Sequence, residues 1–123
     1  MKTQKKSLKL SCIILFLLFM PLICQAHVHM EKSWPAKGES LDTPPGVVKL
    51  WFSGGVEAEW SKVEVKDKSG KRVDTKEVTA TDSDPNSLQV QLKSISSGNY
   101  DVRWNVISHD GHRIKGGISF TVK

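Results

Sequence analysis

The feature that most constrains the fold is a strict alternation of apolar and polar residues near the end of the chain. Apolar side chains occupy every second position there, at Tyr100, Val102, Trp104 and Val106. Because successive side chains of a β-strand point to opposite faces, this stretch is predicted to be a strand with one buried face. Similar short stretches are separated by turn residues, and residues 27–123 contain no helical period. The chain is therefore predicted to be all-β.

The strand-like stretches indicate the architecture. We expect about seven strands, within residues 27–34, 47–53, 60–67, 72–78, 88–92, 100–106 and 114–122. Strands this short and evenly spaced, without an internal repeat, predict a single antiparallel β-sandwich of immunoglobulin or cupredoxin type. Gly116-Gly117 in the last strand predicts a bulge or a close approach of another segment. We expect most of the four tryptophans to fill the core: Trp34, Trp51, Trp60 and Trp104.

The first 26 residues have the three parts of a secretory signal peptide. Four lysines precede an apolar run at 13–20, and Cys24-Gln25-Ala26 places small residues before the expected cleavage site. The run is shorter than the ~20 residues that span a bilayer. We therefore expect export, cleavage after Ala26 and a mature domain of residues 27–123 that does not span the membrane.

Cleavage would change both the charge and the cysteine content. The whole chain has a formal charge of +5, but four of its 18 basic residues and none of its 13 acidic residues lie in the signal segment. The mature domain would thus be nearly neutral, which argues against nucleic acid as a partner. Cys12 and Cys24 would both be removed with the signal peptide, which excludes disulfides and thiolate metal sites from the mature domain.

All four histidines lie in two clusters, His27 with His29 and His109 with His112. Cleavage would make His27 the N-terminal residue and give it an α-amine beside its imidazole. Nitrogen donors with one carboxylate and no sulfur favour Cu(II) in a tetragonal site. If the second cluster is an extended strand, Asp110 and His112 share a face and His109 points away. The predicted ligands are the amine and imidazole of His27, the carboxylate of Asp110 and the imidazole of His112.

Other interpretations of the histidines remain open. Asp110-Gly111 is a common turn pair, so His112 can equally be a solvated hairpin residue. The α-amine, two backbone amides and His29 offer a second way to wrap Cu(II) in a plane. That mode needs the amide of His29 to be free, and a strand beginning there would commit it. We favour the long-range site and keep His29 as a secondary candidate.

The mature chain resembles the CopC-type periplasmic copper-binding proteins of copper resistance, in particular their YobA-like single-domain branch. The resemblance extends over essentially all of residues 27–123. It is carried by motifs in the family's order and spacing: His27-Val28-His29, Ser33-Trp34-Pro35-Ala36-Lys37-Gly38, Val48-Lys49-Leu50-Trp51-Phe52-Ser53, Gly98-Asn99-Tyr100-Asp101-Val102-Arg103-Trp104, Ser108-His109-Asp110-Gly111-His112 and Gly116-Gly117-Ile118-Ser119-Phe120-Thr121-Val122.

The resemblance implies a cupredoxin-like sandwich in the periplasm that binds one Cu(II) per chain through His27, Asp110 and His112. It also implies copper buffering, resistance or delivery, with a membrane copper transporter of CopD type as a partner. This chain departs from the family in two respects. Met30 is the sole methionine of the mature chain, which argues against a Cu(I) thioether site. Gly54-Gly55 replaces an acidic residue and a proline, a change that falls in a loop and on no predicted ligand.

Two alternatives belong to other functional classes. The mature chain has no cysteine thiol and no serine in a nucleophile motif, so we expect it not to be an enzyme. The enzymatic alternative is a copper oxygenase, because an N-terminal histidine with a second histidine can activate oxygen at copper. The other alternative is a metal-free sandwich that binds a protein partner, because the fold by itself does not establish a function.

Overall fold

Eight strands form the framework of the protein in a computed structural model, which describes residues 27–123. In chain order they are β1 Met30–Trp34, β2 Ser40–Leu41, β3 Val47–Phe52, β4 Lys62–Asp67, β5 Asp74–Thr79, β6 Ser87–Leu92, β7 Gly98–Ile107 and β8 Arg113–Val122. Two single-turn 3-10 helices, Ala58–Trp60 and Thr81–Ser83, lie in the connections. The predicted signal peptide and its cleavage site lie outside the described residues.

The strands form two four-stranded sheets, in the orders β1-β3-β6-β5 and β2-β8-β7-β4. The longest pairing is the β7–β8 hairpin, which runs without a register shift from Gly98 opposite Val122 to Ile107 opposite Arg113. The predicted all-β sandwich is confirmed. One detail differs, because β2 pairs with β8 in parallel. Sequence analysis missed β2 because two residues are too few to show a period.

The core lies between the two sheets and follows the predicted alternation. Val63 and Val65 of β4 and Val102 of β7 are fully buried, whereas the residues between them face outward. Tyr100 and Phe120 stack across the β7–β8 pair with their ring centroids 5.3 Å apart. Burial of these side chains supplies the main driving force for folding.

The expectation that most tryptophans fill the core is wrong. Trp104 is buried, but Trp34 and Trp60 are 42% and 70% exposed. Trp34 ends the edge strand β1, and Trp60 lies in a 3-10 helix before β4 rather than in the strand itself. Trp51 alternates with buried residues of β3 and lies half-buried on the outer face, where the Lys32 ammonium is 4.4 Å from its ring centroid.

Gly116 allows the indole of Trp104 to lie directly against β8. A Cβ atom at Gly116 would stand 2.4 Å from Cζ2 of Trp104, which no real side chain could tolerate. The predicted close approach at the glycine pair is therefore confirmed, and the continuous register of β7 and β8 excludes a bulge there.

Asp74, the first residue of β5, joins the two sheets along one edge of the sandwich. Its buried carboxylate accepts hydrogen bonds from the backbone N–H of Val65 in β4 and of Lys76, both at 2.8 Å. Nε of Arg72 donates a further bond at 2.9 Å. Burial opposes ionisation of this carboxyl, but the three donors outweigh burial and hold the pKa of Asp74 below its usual value.

Candidate metal centre

The second histidine cluster forms the tight turn that connects β7 to β8. The backbone N–H of Ser108 donates to the carbonyl of His112, and the N–H of Gly111 donates to the carbonyl of Ser108, both at 2.9 Å. Gly111 has a φ of +84°, a conformation that glycine adopts without steric cost. The turn is therefore closed by its own hydrogen bonds, and its side chains have defined positions.

The Asp110 carboxylate is held from both sides within this turn. The hydroxyl of Ser108 donates to Oδ1, and Nδ1 of His112 lies 2.9 Å from Oδ2. The hydrogen bond from Ser108, followed by the one from His112, lowers the pKa of Asp110 to about 2. The carboxylate is thus ionised at neutral pH and carries the negative charge that a metal cation requires.

Asp110 and His112 meet in the structure for a different geometric reason from the one predicted. Sequence analysis placed them two apart on an extended strand, whereas both precede β8 and meet because the chain turns between them. The alternative interpretation, a hairpin turn at Asp110-Gly111, is therefore the observed local structure. It holds the imidazole against the carboxylate rather than leaving it unpaired.

The N-terminal end of the described chain reaches this turn. The rings of His27 and His112 meet edge to face, with centroids 5.6 Å apart and an interplanar angle of 82°. Val28 packs against Gly54, where an added Cβ would stand 2.9 Å from its Cγ2 atom. The two histidine clusters, which are far apart in sequence, thus lie side by side at one end of the sandwich.

The backbone of His29 is engaged in hydrogen bonds. Its N–H donates to Oγ of Ser53 at 3.0 Å, and its carbonyl accepts from the N–H of Ser53 at 2.8 Å. Copper binding through deprotonated backbone amides would require this N–H to be released. The observed bonds therefore favour the long-range arrangement over the one centred on His29, although a serine side chain rather than a strand ladder holds the amide.

The donors at the turn fit the coordination chemistry of Cu(II). Two neighbouring ligands of a tetragonal site, each about 2.0 Å from the metal, stand about 2.8 Å apart. Nδ1 of His112 and Oδ2 of Asp110 are 2.9 Å apart across their hydrogen bond, so an ion that replaced the shared proton could bind both atoms with little movement. Both side chains are more than half exposed, so an ion can reach them.

The structure does not assemble all the predicted ligands into one cluster. Within residues 27–123, no three histidine, cysteine, aspartate or glutamate side chains stand where they could together hold a metal ion. His27 meets His112 through ring contact, and Asp110 meets His112 through a hydrogen bond. A three-residue site would need these side chains to reorient locally.

The loop at Gly54-Gly55 contacts the segments that carry both histidine clusters. A Cβ at Gly55 would stand 2.4 Å from Nδ1 of His109, and Gly54 contacts Val28 of the N-terminal segment. The pair is in a loop, as expected, but both histidine clusters pack against that loop. These contacts join residues that are far apart in the sequence, so the sequence carries no local pattern that predicts them.

Ser108 and Ser53 are the supporting residues that sequence analysis left without a role. Ser108 is buried and bonds to both Asp110 and His112. Its position two residues before Asp110 could have predicted this role, because serine hydroxyls often form hydrogen bonds to nearby residues within turns. Ser53 is 24 residues from His29, and no local pattern connects them.

Comparison with known proteins identifies the class to which this fold and site belong. The sequence matches the CopC domain family over residues 30–123. The chain therefore belongs to the CopC domain family, and the resemblance noted above is confirmed. The match begins at Met30, three residues after His27.

Individual relatives agree with this assignment. The chain is 31% identical to Protein YobA of Escherichia coli over the full length of both proteins. It is 32% identical to Copper transport protein CutJ of Bacillus subtilis, aligning 89% of this chain with 20% of that much longer protein. The Copper resistance protein C of Pseudomonas syringae is 31% identical over 82% of this chain and 84% of its own length.

Solved structures agree as well. The crystal structure of CopC from Methylosinus trichosporium OB3b matches with a TM-score of 0.74 at 31% identity, covering 79% of this chain and 94% of that one. PcoC of Escherichia coli, described as a methionine-rich copper resistance protein, matches with a TM-score of 0.69 at 28% identity, covering 80% and 100%. The fold is that of the CopC proteins.

Proposed function

We propose that this protein binds one Cu(II) ion per chain and serves in copper buffering, resistance or delivery. The observation that carries the proposal is the meeting of the two histidine clusters, with His27 beside His112 and His112 beside the ionised Asp110. Nitrogen and carboxylate donors without sulfur suit Cu(II). The relatives named for copper transport and copper resistance support the same function.

The proposed ligands are His27, Asp110 and His112. His112 and Asp110 would bind as neighbours, and His27 would add its imidazole and, once the signal peptide is removed after Ala26, its α-amine. Cu(II) would act as a Lewis acid that accepts electron pairs from these nitrogen and oxygen donors. Ser108 would keep the carboxylate oriented, and the Ser53–His29 hydrogen bonds would keep the N-terminal segment near the turn.

The finer parts of the account are proposals of the same kind. We place the processed protein in the periplasm, with a membrane copper transporter of CopD type as a partner. Within residues 27–123, no helix has the length and apolarity that a bilayer crossing requires. We propose binding without catalysis, because Asp110 offers a third donor beside the two histidines and would occupy the position that an oxygen-activating copper leaves open.

Replacement of one histidine from each cluster tests the proposed ligands. His112→Ala removes a ligand and should weaken Cu(II) binding by roughly a hundredfold or more, measured by competition with a chelator of known affinity. His29→Ala is the matched control and should leave the affinity nearly unchanged. A hundredfold loss in His29→Ala, about 2.7 kcal/mol, would instead assign copper to the N-terminal amide mode.

A further inference from the structure

His109, like His29, is not a ligand of the proposed copper site, but its side chain has defined neighbours in the structure. Its ring lies close to Gly55, where any Cβ would stand 2.4 Å from Nδ1. The backbone N–H of His109 donates to the carbonyl of Gly55 at 3.0 Å. The absence of a side chain at Gly55 thus creates the place that the imidazole occupies.

The other ring nitrogen of His109 faces a carboxylate on the neighbouring segment. Nε2 lies 3.6 Å from Oε1 of Glu57. Glu57 is held by its backbone, since its N–H donates to the carbonyl of Ile107 at 2.8 Å and its carbonyl accepts from Oγ of Ser61 at 2.6 Å. Val56 and Ser108 also form a β-bridge, which fixes the two segments against each other.

The separation of these two atoms is informative. At 3.6 Å the pair is too far apart for a hydrogen bond. A Zn²⁺ ion about 2.0–2.1 Å from each atom would make an angle of about 120–130° with them, so a small movement of either side chain would bring the two atoms to tetrahedral positions.

We propose that His109 and Glu57 form a second metal site, which binds Zn²⁺ with water molecules as the remaining ligands. Both side chains are about half exposed, 53% and 46%, so solvent can complete the coordination. Two protein ligands make this a weak and exchangeable site. It shares the Ser108–His112 turn with the copper site but uses none of the three side chains proposed to hold copper.

Titration calorimetry with Zn²⁺ on the processed protein, preloaded with one equivalent of Cu(II), tests the proposal. One further equivalent should bind, with no change in the electron paramagnetic resonance spectrum of the bound copper. His109→Ala and Glu57→Gln each remove one of the two protein ligands and should weaken this binding at least tenfold, because even the loss of a residue that only supports a ligand costs a metal site about that much. Glu59→Gln, an exposed glutamate two residues from Glu57, is the matched control and should bind normally.

The test separates this site from the copper site. In His112→Ala without copper, the Zn²⁺ equivalent should persist even though tight Cu(II) binding is lost, so failure of one proposal leaves the other intact. The second site is overturned if the preloaded protein takes up no Zn²⁺, if Zn²⁺ displaces the copper, or if binding is the same in His109→Ala and Glu57→Gln. His109 and Glu57 would then form an ion pair alone.

Discussion

Two single aspartates have separate roles: one joins the two sheets of the sandwich, and the other gives the candidate site its negative charge. Asp74 and Asp110 are both aspartates whose pKa lies below the usual value, but for different reasons. Asp110 is exposed and is held by a serine and a histidine of its own turn. Asp74 is buried, and its donors belong to two different sheets. The first is suited to binding a cation and the second to structural stability.

Asp74→Asn should destabilise the protein at neutral pH by about 3 kcal/mol, because it weakens charge-assisted bonds to buried backbone donors and to Arg72. The folded state lowers the pKa of Asp74, so its contribution is complete above the unfolded pKa of about 3.9 and is lost as the pH falls through the folded value. The difference between wild type and variant should therefore narrow below about pH 4, measured by urea unfolding at several pH values.

The control for this experiment is Asp42→Asn. Asp42 is 87% exposed and 3.4 Å from the Lys123 ammonium. Exposed ion pairs contribute about 0–1 kcal/mol, so this change should be nearly neutral at every pH. A destabilisation of Asp74→Asn that is equally large at pH 7 and well below the folded pKa would contradict the role assigned to its charge.

At the scale of elements, the β7–β8 hairpin is the part on which the core and the candidate site both depend. Its register places Trp104 opposite Gly116 inside the sheet and ends in the turn that carries Asp110 and His112. The same hairpin thus connects the packing of the core to the position of the candidate ligands.

Gly116→Ala should destabilise the protein by about 1–3 kcal/mol, because the new methyl group would overlap the Trp104 indole and force it to move. Urea unfolding and tryptophan fluorescence measure the two effects. Gly46→Ala is the matched control, since no atom lies within 4 Å of a Cβ at that position. Equal stability of the two variants would show that the indole is not held against β8.

At the scale of the whole molecule, the β-strands could be predicted from the sequence more readily than the contacts between them. Alternation along β4 and β7 predicted which valines are buried, because a two-residue period directly reflects one buried face. The same rule could not show that Trp60 belongs to a 3-10 helix or that β2 adds a parallel pair, since both depend on tertiary contacts.

At the candidate site, too, the ligands could be predicted from the sequence but the contacts that support them could not. Histidine spacing and donor chemistry indicated His27, Asp110 and His112, and the structure brings these residues near one another. The contacts of Ser53 with His29 and of Gly55 with His109 join residues that are distant in sequence. A single sequence carries no local pattern for such contacts, so these supporting residues emerged only from the fold.

Copper should stabilise the whole domain if it binds the native state. At a free Cu(II) concentration 100 times the dissociation constant, the gain is about 2.7 kcal/mol. For a domain of this size that corresponds to an increase in melting temperature of roughly 10–20 °C, measured by circular dichroism. The increase should disappear in His112→Ala. A melting temperature that copper does not raise would favour the metal-free interaction module.

The most direct test of the account is an electron paramagnetic resonance titration with Cu(II). It compares protein that begins at His27 with the same protein extended by one N-terminal alanine. We predict one tight tetragonal equivalent in the first protein, and a weaker or spectroscopically different site in the second, because the extension moves the α-amine away from the His27 imidazole. Identical spectra and affinities in the two proteins would contradict the claim that signal-peptide cleavage completes the copper site.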